Sequence, residues 1–221
     1  MLFRSATIHL FSVVTAITES HGRLATHCQD GTLHEADAAI VTVPLPIVRD
    51  ISLPDPVHEK VAASADIGFG NVVKILLRFT RKWWTPCGKR DLSGLSFLIS
   101  GAMVPVWWTQ HPSDLPVLTG WFAGPKTDTV ARLTVNELVD MGLGSLAEIF
   151  NLPPDRITRD LITSQAINWG NDPFARGAYS YATPRTRQAQ VAMRKINEAP
   201  YSFLAKRCTL AGIWAQSRRR W

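Results

Sequence analysis

Trp169-Gly-Asn-Asp-Pro-Phe-Ala-Arg-Gly-Ala-Tyr-Ser-Tyr181 is the stretch on which the reading of this chain turns. It is an aromatic loop rich in glycine and proline, and Gly177, lacking a Cβ, would let the backbone approach a flat group closely. Just before it, residues 161–168 read as a strand that leads into the loop. Farther back, Ile67-Gly-Phe-Gly-Asn-Val-Val-Lys-Ile75 places Lys74 in a strand where Val73 and Ile75 face the other way. A lysine among Val72, Leu76 and Leu77 either finds polar partners or runs its stem to solvent from an edge strand.

The rest of the chain supplies a frame for these two segments. Residues 13–17 and 23–28 read as short strands, with Asp30-Gly31 as the turn after the second. Residues 38–43 form a continuous apolar run stopped by Pro44 and Pro46, the pattern of a buried strand. Pro54 and Pro56 mark a crossover, and residues 57–65 a short helix. Strands are expected at 71–79, 95–99, 104–109 and 117–123, joined by short connections, in an antiparallel or mixed sheet. The clearest helix is 134–150. Thr134 and Glu137 form a capping box, Val135, Leu138, Val139, Leu146 and Ile149 a stripe, and Pro153 and Pro154 a stop.

At 221 residues with 46% hydrophobic and 19% charged residues, the chain has the composition of a globular protein with a substantial core. No apolar run reaches the roughly 20 residues of a membrane span. Cys28, Cys87 and Cys208 are odd in number and far apart, so neither a disulfide framework nor a zinc site is implied, and a cytoplasmic setting is expected. The six histidines form no metal-ligand spacing. The net charge of +6 suggests nucleic acid until it is located. Nine basic residues and one acid lie from Arg185 onward, leaving fifteen basic and seventeen acidic residues before it. The body is therefore nearly neutral, and neither a nucleic-acid nor a membrane partner is expected. Trp107, Trp108 and Trp121 are either core residues or the lining of a substrate cavity.

The order of these motifs resembles the C-terminal half of the flavin-containing amine oxidases, the monoamine and polyamine oxidase superfamily, over roughly residues 10–200. The resemblance implies an α/β (α+β) fold. Residues 59–167 would be a mixed-sheet substrate-binding domain, 1–58 the later strands of a partial FAD-binding domain, and 168–200 a return segment into that domain. It implies an FAD-dependent oxidoreductase that takes hydride from a small-molecule amine. By the same resemblance Val14 would meet the adenine end and Pro44 would lie in the turn beside the cofactor. Lys74 would reach flavin N5 through a water, and Trp169 would begin the return past the isoalloxazine. Gly177 would give close approach, and Tyr179 would be one wall of the cage around the amine. Lys74 and Tyr179 are the candidate catalytic residues. Where some members carry a thioether-forming cysteine this chain has Ala178, so FAD would be held non-covalently.

Two departures go with the resemblance. No Gly-x-Gly-x-x-Gly element to seat a pyrophosphate occurs in the sequence. The family's carboxy-terminal flavin motif is missing as well, and residues 201–221 are a basic tail in its place. Codons can be chosen for residues 202–221 that, read from the third base, spell Phe-Ser-Gly-Glu-Ala-Leu-Tyr-Thr-Gly-Trp-Asn-Met-Gly-Ala, very like that motif. The tail is thus expected to be an out-of-frame reading that packs as no native element. The chain is expected to be a fragment that does not hold FAD tightly on its own. The alternative is a non-catalytic, truncated or pseudogene-derived product without intrinsic activity.

Overall fold

In the strand Val72–Phe79, Val73, Ile75, Leu77 and Phe79 are fully buried, whereas Lys74 is half-buried and Leu76 and Arg78 are exposed. The alternation commits one face of this strand to a core and leaves the other open. The computed structural model describes residues 6–87, 90–194 and 201–203. The chain forms two units, Gly70–Tyr179 on one hand and Met1–Phe69 with Ser180–Trp221 on the other.

Within Gly70–Tyr179, Val72–Phe79 is the second strand of a five-stranded sheet. The strand order is Leu161–Asn168, Val72–Phe79, Val117–Ala123, Val106–Trp108, Phe97–Ile99. Every pairing in it is antiparallel. Parallel pairing occurs in the other unit, so the expected mixed character belongs to the chain and not to this sheet. The helix Val135–Phe150 packs on the buried face through Leu138, Val139, Leu143, Leu146 and Phe150. Each such side chain contributes about 1.5–3 kcal/mol by leaving water.

Gly142 brings the helix close enough that a Cβ there would lie 3.0 Å from Ile75 and 3.3 Å from Trp107. The Trp107 ring fits between Gly142 and Gly120, and its Nε1–H donates to the Val104 carbonyl at 3.0 Å. Ser145 Oγ accepts the buried Val104 N–H at 3.0 Å, so the helix also satisfies a backbone donor of the loop beneath it. The Thr134–Glu137 capping box forms as expected. Val135, counted in the apolar stripe, is instead 47% exposed, and burial along the helix begins only at Leu138.

In the other unit, the strands Val14–Ser20, Arg23–Cys28 and Leu33–Ala36 form an antiparallel meander. His21 and Gly22, both at positive φ, make its first two-residue turn. Ile17, Leu24, Val48, Ile51, Leu53 and Val57 form its core. The helices His58–Ser64 and Thr186–Arg194 pack together around Ile67, Ala189 and Met193.

One expectation is corrected in this unit. The run 38–43 is a strand only over Ala39–Val41, with Ile40 65% exposed, because its one strand neighbour among the described residues is the short Tyr201–Phe203. By that parallel pairing Tyr201–Phe203, at the start of the expected out-of-frame tail, lies beside Ala39–Val41. Residues 204–221 lie outside the described residues.

Candidate functional site

The open face of the five-stranded sheet is where the unusual side chains collect. The register runs Ile167, Lys74, Trp121, Val106 and Ile99 across the five strands in one row. The next row is Gln165, Leu76, Thr119, Trp108 and Phe97. Lys74 Nζ stands 5.6 Å from the centroid of the Trp121 ring. Trp121 leans on Trp108 at 6.1 Å, and Trp108 on Phe97 at 6.3 Å. The face is thus an aromatic and aliphatic surface 54% exposed at Phe97 and 80% at Ile99, with one ammonium beside the Trp121 ring. Lys74 makes no ion pair with a described residue, and the π-face of Trp121 is the group that attracts its charge. The five strands carry Lys74 and Arg78 and no aspartate or glutamate.

The loop after Leu161–Asn168 returns to the same strand. Trp169 N–H donates to the Val72 carbonyl at 3.0 Å, extending the pairing by one residue beside the Lys74 row. Gly177 N–H donates to the Trp169 carbonyl at 2.9 Å, with Gly177 at φ +138, in a region that a glycine enters without strain. Ala178 N–H donates to the Gly70 carbonyl at 2.8 Å, and the Tyr179 ring lies over Gly70. Lys74, Trp169, Gly177, Ala178 and Tyr179 therefore all belong to this unit and are tied to Val72–Phe79 or to the residues just before it. In the other unit, Val14 opens a strand opposite Cys28 and packs on the core. Pro44 precedes the helix Leu45–Val48, and its carbonyl accepts the N–H groups of Ile47 and Val48 at 2.9 and 3.2 Å.

Several site residues were not legible beforehand. The three tryptophans divide, Trp107 into the core and Trp108 and Trp121 onto the open face, where Phe97 joins them. Adjacent residues of one strand point to opposite sides, so the pair Trp107–Trp108 could only have split; which one turned inward depended on the pairing register. Asn71 and Asn168 carried no signal of their own in the sequence. Asn71 Nδ2 donates to Asn168 Oδ1 at 2.9 Å, which also accepts Gly170 N–H at 3.1 Å, and Asn71 Oδ1 accepts Val72 N–H at 2.6 Å.

Residues 3–216 match the family model described as flavin containing amine oxidoreductase. The chain belongs to this family. It is 28% identical to polyamine oxidase 4 of Oryza sativa subsp. japonica, across 81% of this chain and 36% of that protein. It is also 28% identical to the human peroxisomal N(1)-acetyl-spermine/spermidine oxidase, across 72% and 34%. Lysine-specific histone demethylase 1 homolog 3 of Arabidopsis thaliana is 26% identical, across 77% of this chain and 10% of the larger protein. The chain spans about a third of the length of the polyamine oxidases it matches. The family's flavin suits the donor set of the open face, a lone ammonium on an aromatic surface without a carboxylate to neutralise it. Such a cation can donate to the heteroatoms of a flat conjugated ring laid on the aromatic surface. Among the described residues no cluster of three metal ligands occurs, and no helix is long and apolar enough to cross a membrane.

Proposed function

We propose that this chain carries the substrate-binding domain of an FAD-dependent amine oxidase-type oxidoreductase, about residues 59–167, flanked by segments of its FAD-binding domain at 1–58 and 168–200. The observation that supports this best is Lys74, half-buried on the open face beside Trp121, the first of an aromatic row that continues through Trp108 and Phe97, and without an ion pair among the described residues, in a chain of the flavin amine oxidoreductase family. FAD, when bound, supplies the acceptor for a hydride leaving the amine's α-carbon.

The chain's own residues bind and orient. Lys74 offers its ammonium protons to the polar edge of the flavin. Trp121 shields that ammonium on one side, which strengthens each hydrogen bond it makes. Tyr179 presents its ring as one wall for the amine, and Trp108, Phe97 and Leu76 take the amine's carbon skeleton. Since none of the five strands carries a carboxylate, the face suits an amine whose body is apolar or acylated better than a chain of several ammonium groups. With Ala178 in place of a thiol, any flavin is dissociable.

Titrating the purified chain with FAD tests this reading. Saturable quenching of tryptophan emission is expected, with a several-fold weaker midpoint in Lys74→Met and full release of the flavin on acid precipitation. Absence of saturable quenching in the wild type, or a midpoint unmoved by Lys74→Met, would count against it.

A further inference from the structure

Gly70 and Asn71 stand immediately before the strand that carries Lys74, and between them they meet both ends of the loop 168–179, Gly70 at Tyr179 and Asn71 at Asn168 and Gly170. A Cβ added at Gly70 would lie 2.5 Å from Tyr179 Cζ, 2.8 Å from its hydroxyl oxygen and 2.9 Å from Cε1, closer than any real Cβ approaches another atom. The phenol ring thus occupies the space that any other residue at position 70 would fill. The Gly70 carbonyl also accepts the N–H of Ala178, the residue before the tyrosine, at 2.8 Å. One glycine therefore fixes both the backbone entering Tyr179 and the plane on which its ring rests.

Asn71 holds the other end of the loop. Its amide bridges Val72 N–H and Asn168 Oδ1, and a Cβ on Gly170 would collide with that amide at 2.5 Å from Nδ2. Asn168 Oδ1 takes a second bond from Gly170 N–H, while Asn168 Nδ2 is buried with no partner among the described groups. An unpaired buried donor costs about 1–3 kcal/mol, which the two bonds accepted by the oxygen offset. The oxygen closes the turn that aims Trp169, whose carbonyl receives Gly177 N–H.

We propose that Gly70 and Asn71 are positioning residues that set the Tyr179 ring relative to the Lys74 strand, Gly70 as the seat of the ring and Asn71, through Asn168, as the clamp on the loop that delivers it. The proposal rests on the reading above in assigning Tyr179 to the amine's wall. Its test needs no flavin, so the two can fail separately.

The chain has three tyrosines, and substitution of each by phenylalanine assigns their ring resonances in protein labelled on the tyrosine rings. In the wild type, the Tyr179 ring is expected to show a nuclear Overhauser effect to the Gly70 α-protons, which its ring current shifts upfield. Gly70→Ala is expected to abolish that contact and move the Tyr179 resonances toward free-tyrosine values, leaving those of Tyr181 in place. Asn168→Ala is expected to move Tyr179 likewise, and Asn168→Asp, which keeps both accepted hydrogen bonds, to leave it unmoved. Should Gly70→Ala fail to fold, the wild-type contact and the Asn168 pair still decide. No Gly70–Tyr179 contact in the wild type, or Tyr179 resonances unmoved by Gly70→Ala and Asn168→Ala, would overturn the proposal.

Discussion

Lys74 owes its place to its strand partners. Alternation along Val72–Phe79 sets it opposite the core, and pairing with Trp121 gives it an aromatic neighbour. The first of these facts was readable in the sequence, because Val73 and Ile75 had to face inward together. The second was not, because it depends on which residue of a strand some forty positions later falls opposite. Trp107 and Trp121 give the sharpest contrast at this scale. Trp107, fully buried between two glycines with its indole N–H satisfied, should cost about 3–5 kcal/mol when changed to alanine. Trp121, half-buried on the open face, should cost no more than about 1 kcal/mol. Urea midpoints of the two variants, with unchanged slopes, check the difference.

Elements were legible where a local device announced them. The Thr134–Glu137 box is such a device, since two side chains three residues apart satisfy donors that the helix start leaves orphaned. Thr134→Ala should therefore cost about 1 kcal/mol in a denaturant titration. The Thr134 backbone N–H donates to Glu137, with the Thr134 hydroxyl second, and holds its carboxyl below the ordinary glutamate value of 4.5. A carboxyl with a lowered folded-state pKa stabilises the fold above its unfolded value and loses that contribution as pH falls through the folded one. Glu137→Gln should thus be less stable than wild type at neutral pH, with the gap closing below about pH 4.5. A gap that persists unchanged in acid would show the carboxylate to be uninvolved. Other elements escaped notice for physical reasons. The helix Thr186–Arg194 buries only Thr186, Ala189 and Met193, small or flexible side chains between arginines and glutamines, so its apolar stripe is faint. The run 38–43 looked like a buried strand, yet burial is a property of neighbours, and Ile40 has few of them.

At the scale of the molecule, the chain belongs to the flavin-containing amine oxidoreductases and spans about a third of the polyamine oxidases it matches. Most of the five-stranded sheet could be read from strand-like runs and short connections, whereas its order, with Leu161–Asn168 beside Val72–Phe79, is a long-range pairing that no local pattern encodes. The sequence contains no Gly-x-Gly-x-x-Gly element, whose backbone amides would hold a diphosphate. The 221-residue chain is accordingly expected to purify with far less than one flavin per molecule, read from visible absorbance, and a stoichiometric yellow product would contradict this. The central claim is that the open face around Lys74 receives the flavin and its amine. The most direct measurement follows the indole N–H signals of the eight tryptophans in labelled protein while FAD is added in excess. The signals of Trp121 and Trp108 should shift progressively and saturably, and those of Trp107 and Trp84, sealed in the core, should stay in place. Signals of Trp121 and Trp108 that remain fixed at saturating FAD, or shifts confined to tryptophans away from the open face, would contradict the account.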